Sequence, residues 1–429
     1  MSHLSLAAGI FMLTYVIIVS EHLHRTAAAL VGGILMVLLG VVSQEEAFHA
    51  IDLNVIFLLV GMMMIAYLLG ETGIFQWFAI KAVHKGKGNP VVIMAIIAVI
   101  SAISSALLDN VTVVVLIAPV TLLVASTLAV SPVPFLITVV MASNIGGATT
   151  LIGDPPNVLI ASAAGIEFLP FIMNMGPPTL FAMMAFLPMV MYHFNKQMHV
   201  SPERRQAVMR LKTEGLIRNR VLLIQCLAVL ALVLVGFTLH GWLNLKPATI
   251  ALAGATLLLV WTRRNPSDIL EHVEWSTLMF FVGLFVTVEA LVQVGLIDRL
   301  ARSLLQMTEG NLDVTTFFIL WFSALASGIV DNIPYTAAMI PLVERLSNVI
   351  PVEPLWWALA LGADLGGNLT LVGASANIIV ATLAERSGYK LSFGMFLRYG
   401  IVTVFMSLVI ASIWIWFRYL LPCHVGVCH

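Results

Sequence analysis

The sequence predicts an all-α polytopic membrane protein built from two inverted repeats, and three observations predict it. Of the 429 residues, 60% are hydrophobic and only 10% are charged, where soluble domains carry about 25% charged residues. Apolar runs near the length that crosses about 30 Å of hydrocarbon recur from Leu4 to Phe417. The third observation is a duplicated interruption of such runs. Asn144-Ile-Gly-Gly-Ala-Thr-Thr-Leu-Ile-Gly-Asp-Pro-Pro-Asn157 is too rich in Gly, Pro and polar side chains to stay helical. Its counterpart, Asp364-Leu-Gly-Gly-Asn-Leu-Thr-Leu-Val-Gly-Ala-Ser-Ala-Asn377, lies 220 residues later. The two share a Gly-Gly pair (Gly146 and Gly147, Gly366 and Gly367), a Thr (Thr150 and Thr370), a Gly (Gly153 and Gly373) and a closing Asn. Paired helix breaks, one in each half, point to a binding site between repeats.

Each repeat is expected to hold about five spanning helices, a re-entrant hairpin and a broken helix. Residues 1–195 form the first repeat, 196–220 a basic cytoplasmic linker and 221–429 the second repeat. In the first, spans are predicted at about 4–20, 26–43 and 53–70. The first run lacks a basic segment before it and a small-residue cleavage site after it, so it reads as a span and not a signal peptide. A basic loop with Lys81, Lys85 and Lys87 follows. The apolar stretch of about 90–128 is too long for one crossing, and Asp109-Asn110 at its middle suggests a hairpin that dips in and returns. The broken helix, about 134–165, and a last span, about 170–194, complete the half.

The second half repeats this order. Ile51-Asp-Leu-Asn-Val-Ile-Phe-Leu-Leu-Val-Gly61 aligns with Val273-Glu-Trp-Ser-Thr-Leu-Met-Phe-Phe-Val-Gly283 at an offset of 222, and at that offset Gly73 falls on Gly295, Asp109-Asn110 on Asp331-Asn332, and Pro119 on Pro341. An internal duplication accounts for this register. Five crossings plus a hairpin that adds none or two make an odd count, so the halves must be inverted. Charge tests the arrangement: with the 196–220 linker placed inside, sixteen Lys and Arg fall on the cytoplasmic face, Arg25 among them, and five outside, Lys246 among them. Both termini then lie on the non-cytoplasmic side of the cell (inner) membrane. The linker itself reads as a solvated connection.

Four carboxylates sit within apolar or broken segments: Asp109 and Asp331 at the hairpin tips, Asp154 and Asp364 in or beside the unwound turns. Each costs roughly 2.5–3.5 kcal/mol at mid-membrane, which calls for a compensating reason. Capping of the restarting helices is the plain reason, and Pro334 near a first turn suits it. A capped helix N-terminus aimed at mid-membrane also presents free N–H groups, so capping and binding are compatible. Asn110, Asn144, Thr149, Thr150, Asn157, Asn332, Asn368, Thr370, Ser375 and Asn377 add donors and acceptors, with helix packing or capping as their alternative role. No Lys or Arg lies between residues 90 and 165, and Arg345 alone lies in the second copy. The expected site therefore has no basic neighbour and suits a cation, a proton or a neutral polar solute.

Other signals are weak. Met62-Met-Met64 reads as packing, and most histidines fall at span ends. The tail with Cys423 and Cys428 matches no strong zinc pattern. The chain lacks a Gly-x-x-x-x-Gly-Lys-Ser/Thr loop. It also lacks the Tyr-Asp and Gly-x-Gly-Asp pair of intramembrane aspartyl proteases, so it does not read as an enzyme.

Leu108-Asp-Asn-Val-Thr112, Gly153-Asp-Pro-Pro-Asn157, Val330-Asp-Asn-Ile-Pro334 and Gly362-Ala-Asp-Leu-Gly-Gly-Asn-Leu-Thr370 with Gly373 resemble the ArsB, P-protein and NhaD group of the ion transporter superfamily. The resemblance covers essentially the whole chain. It implies a secondary active transporter that exports arsenite or antimonite in exchange for protons, driven by the proton-motive force with no bound cofactor, and in some members with a soluble ArsA-type ATPase. Gly153-Asp-Pro-Pro-Asn157 looks more like the P-protein branch. With no cysteine near either motif, the metalloid is expected as its neutral trihydroxide. A sodium/proton antiporter and a P-protein-like anion transporter are the alternatives. The expected partners are a small inorganic solute, protons and the lipid bilayer, with no nucleic acid.

Overall fold

The computed structural model describes residues 3–20, 22–196, 198 and 200–424, so the tail expectation that rests on Cys428 lies outside the described residues. Among them every regular element is helical, as hydrocarbon requires of a backbone that must satisfy its own hydrogen bonds. Among the described residues, nine helices are long and apolar enough to cross a membrane.

In the first half, α1 (His3–Ser20), α2 (Arg25–Leu38), the short α3 (Gln44–His49), α4 (Leu53–Glu71) and α5 (Ile74–Lys85) lead to the hairpin α6 (Pro90–Leu107) and α7 (Asn110–Leu128). The broken helix is α8 (Val133–Gly147) and α9 (Pro155–Ala164), and α10 (Phe168–Asn195) follows. The linker carries α11 (Pro202–Met209). The second half has α12 (Arg220–Leu243), α13 (Pro247–Thr262), the short α14 (Pro266–Leu270), α15 (Trp275–Gln293) and α16 (Leu296–Met307). Its hairpin is α17 (Leu312–Val330) and α18 (Asn332–Leu346), and its broken helix is α19 (Glu353–Gly366) and α20 (Ser375–Arg386). The last helix, α21 (Phe393–Ile415), passes through a π-helical turn, Trp416–Leu420, into α22 (Leu421–His424).

Both hairpins and both broken helices stand where the duplication put them, for local reasons. Asn89 caps α6 through Val91 N at 3.1 Å with Pro90 in its first turn, and Asn311 caps α17 through Val314 N at 3.1 Å. Equivalent helices also pack alike: α6 on α8 and α17 on α19, α4 on α13 and α15 on α2. The first of these contacts depends on the absence of a side chain. A Cβ on Gly146 would lie 2.4 Å from Ala102 Cα, and one on Gly366 would lie 2.5 Å from Ala324 Cα. Small residues let membrane helices approach backbone to backbone.

Two expectations need correction. The stretch holding Lys81 and Lys85 is helix α5, not a loop; Lys87 alone falls in the turn beyond it. Gly73 turns the chain with φ of 83°, and Phe75, Ala79 and Ile80 then bury one face of the new helix. Gly295, with φ of 74°, does the same before α16. The linker is not merely solvated either. Arg218 N donates to Thr72 O at 2.9 Å, a His84 ring nitrogen meets Leu211 O at 2.9 Å, and Val208 is buried.

Candidate functional site

The two helix breaks are built by the same contacts. Asn157 Nδ2 donates to Gly147 O (3.3 Å) and Thr150 O (3.0 Å), and Asn377 Nδ2 donates to Gly367 O (2.8 Å) and Thr370 O (2.9 Å). Thr150 Oγ1 donates to Ala106 O at 2.6 Å and Thr370 Oγ1 to Gly328 O at 2.5 Å, tying each break to its hairpin. Asn110 N donates to Gly153 O and Asn332 N to Gly373 O, both at 3.2 Å, so each hairpin tip lies against its own unwound turn. These amides and hydroxyls satisfy carbonyls that the interrupted helices leave without partners.

The carboxylates divide by role. Asp109 and Asp331 cap their helices, accepting from Thr112 N at 2.7 Å and Ile333 N at 3.0 Å. Asp154 occupies the cap position of α9 without capping it. Its Oδ2 accepts instead from Asn110 Nδ2 at 2.9 Å and Asn332 Nδ2 at 3.2 Å, equivalent side chains from the two hairpin tips. The halves therefore meet at Asp154, which is 1% exposed. A second bridge joins them: Asn144 Nδ2 donates to Asn368 Oδ1 and to Asn377 Oδ1, both at 3.0 Å, and Asn144 Oδ1 accepts from Asn110 at 3.2 Å.

Asp364 differs from the other three. It is fully buried in α19, and neither of its oxygens has a hydrogen-bond partner among the described residues. Asn157 lies beside it. Both Nδ2 protons of Asn157 are committed to the carbonyls of its own break, so Asn157 has only Oδ1 left to offer, and that oxygen is unpartnered too. Asp364 and Asn157 are thus neighbours, and three of their side-chain oxygens lack a partner among the described residues. Leaving them so is expensive in a low-dielectric interior.

A cleft opens beside these groups, walled by Leu58, Met62, Ile152, Val158 and Ile379 and lined by Arg25, Asp109, Asn110, Asp154, Glu274, Thr277, Asn332 and Ser375. Arg25 corrects the expectation of a site without a basic neighbour. Its Nη1 lies 3.3 Å from Asp331 Oδ2 and donates to Ser375 Oγ, while its guanidinium stands 5.6 Å from the centre of the Phe280 ring. Arg25 begins α2 and reaches the site from another helix, so the break motifs gave no hint of it. Asp331 also takes φ of 95°, against −105° for its equivalent Asp109. Such a backbone costs of order 1–3 kcal/mol in a non-glycine residue and persists only where its surroundings hold it.

Asp109, Asn110, Asp154, Asn332 and Ser375 are thus brought to one cleft, with Asp331 behind Arg25. Asn144, Asn157, Asn368 and Asn377 form the buried amide network that joins the halves. Thr150 and Thr370 hold the turns, and Thr149 lies against Thr179 of α10 at 3.0 Å, away from the cleft. Gly147 and Gly153 pack on each other, as do Gly367 and Gly373. Glu274 and Thr277 were missed, although Glu274 is the aligned equivalent of Asp52 in the duplication and its position was open to reading.

A polar, acid-lined cleft at paired helix breaks, enclosed by helices that suit only a lipid setting, defines a membrane transporter. The chain belongs to the CitMHS family, described as citrate transporter, whose model matches residues 15–362. It is 45% identical to an uncharacterized transporter of Mycobacterium tuberculosis, over 97% of this chain and 99% of that one. It is 33% identical to the human P protein, over 99% of this chain but 60% of that longer protein, which bears out the P-protein side of the resemblance. The crystal structure of the Alcanivorax borkumensis YdaH transporter, described as having an unusual topology, aligns with a TM-score of 0.61 at 16% identity over 90% of this chain and 88% of that one, a likeness of fold alone.

Proposed function

We propose that this chain is a proton-coupled secondary transporter of a small carboxylate solute, working by alternating access between its two inverted halves. The observation that carries the reading is the Asp364–Asn157 pair. A proton on Asp364 would remove the charge from a fully buried carboxyl that has no other partner among the described residues and give it a donor beside Asn157, which makes it the natural carrier of a transported proton. Arg25 supports an anionic cargo, as does membership of a family described as citrate transporter. The acids then explain coupling. A carboxylate held about 6 Å from one ionised aspartate is repelled by about 3 kcal/mol at an effective dielectric of about 20. The cargo therefore binds well only after protons neutralise the site, which makes the two travel together.

Two other readings share the scaffold. Sodium placed between Asp364 and Asn157 would satisfy the same pair of acceptors, which favours sodium/proton exchange as the second reading. Export of arsenite or antimonite in exchange for protons rested on a site without a basic group, and Arg25 removes that support. No observation supports an ArsA-type ATPase on the linker. Flux in proteoliposomes under an imposed pH gradient tests the choice. Citrate accumulation matched by proton uptake and abolished by a protonophore is expected. Proton movement coupled to sodium, with no citrate flux, replaces the proposal by exchange, and proton movement coupled to arsenite restores the exporter.

A further inference from the structure

We infer that two ion pairs alternate between the ends of the transport cycle: Arg25 with Asp331 in the state seen here, and Lys246 with Asp109 in the opposite one. The inference rests on the two-state transporter reading above. Its starting point is that the duplication makes Asp109 and Asp331 equivalent, as it does α2 and α13. Arg25 is the first residue of α2, and Lys246 immediately precedes Pro247, the first residue of α13. Each half thus places one long cationic side chain at the start of the same helix, and the charge topology puts the two on opposite faces of the membrane.

The structure uses them unequally. Arg25 holds Asp331 and Ser375, and Tyr15 of α1 donates to Pro334 O at 2.6 Å, so the tip of the second hairpin is tied to α1 and α2. Lys246 is exposed and makes no ion pair among the described residues, and Asp109 has no basic partner among them. The backbone is unequal as well, with φ of 95° at Asp331 and −105° at Asp109. Two tips of one design are therefore held in two different conformations, as expected if each half adopts in turn the arrangement its twin has now. Each cation also lines a cavity of its own, which gives each end a separate reporter. Arg25 lines one together with Asp331 and Val372, and Lys246 lines another together with Leu151 and Ser162.

Single cysteines at Val372→Cys or Leu151→Cys, in the full chain otherwise free of cysteine, report each cavity by labelling with a water-soluble maleimide in membranes. Arg25→Gln is expected to lower the ratio of Val372→Cys to Leu151→Cys labelling, and Lys246→Gln to raise it, each by about threefold or more. Asp109→Asn should act like Lys246→Gln, Arg25→Lys should keep the parent ratio, and the variant with both Gln substitutions should return towards it. Because Lys246 is exposed, its removal leaves folding intact, and Lys246→Gln with Asp109→Asn decides the matter even if Arg25→Gln fails to insert. No change in the ratio with either of these two, or a change in the same sense for Arg25→Gln and Lys246→Gln, overturns the inference. Labelling needs no cargo, so a failed flux assay with opposed labelling shifts refutes only the transport reading, and normal coupled flux with fixed labelling refutes only the latch.

Discussion

Replacing Asp364 with Asn removes a titratable group while keeping its shape, and the structure fixes what should follow. The native carboxyl has no donor to rest on, and its neighbour Asn157 presents an unpartnered oxygen. An ionised carboxylate in that position would cost several kcal/mol, so on the proposed reading Asp364 takes up the transported proton and is then able to donate towards Asn157. Asn in its place donates to the same oxygen through Nδ2, and Asp364→Asn is therefore expected to change unfolding stability by no more than about 1 kcal/mol. Transport should suffer where folding does not. One proton moved through 100 mV supplies about 2.3 kcal/mol, which is about a fiftyfold concentration ratio. The variant should lose this accumulation and retain at most downhill exchange. The assay is uptake into proteoliposomes at a clamped potential, beside thermal unfolding in detergent. Gradient-driven accumulation equal to that of the parent would refute the argument that Asp364 carries the proton, and so would a large loss of stability in Asp364→Asn, which would mean that the site needs the charge.

Three further outcomes follow from the packing and the hydrogen bonds. Gly146→Ala and Gly366→Ala should each lower stability by about 1–3 kcal/mol, because the added methyl meets backbone of Ala102 or Ala324; thermal unfolding of the purified protein reads this directly. Asn144→Ala should cost about 1–3 kcal/mol and slow transport at least tenfold, since it leaves the buried amides of Asn110, Asn368 and Asn377 without their shared partner. Thr149→Val should leave flux unchanged and cost at most about 1.5 kcal/mol, because among the described residues its hydroxyl meets Thr179 on α10, away from the cleft.

Much of this molecule is readable in the order of its residues because hydrocarbon leaves few choices. A backbone in lipid must be helical, so apolar length marks the spans, and Gly-Gly with Thr, Pro and Asn marks the places where a helix stops and restarts. The duplication added which breaks are equivalent, and with them that Asp109 answers to Asp331 and Asn157 to Asn377. Short-range signals failed where the answer lay in distant packing: α5 was hidden because its lysines look like a loop until its apolar face is buried, and the linker's attachment to Thr72 has no local signature. The composition of the site was decided by tertiary structure alone. Sequence distance placed Arg25 more than 300 residues from Asp331, and only the packing of α2 against α15 carries that guanidinium to the tip of the second hairpin. The meeting of Asn110 and Asn332 on Asp154, and the missing donor at Asp364, likewise exist only once two halves share one interior, where each polar group must find its partner in the other copy or go without.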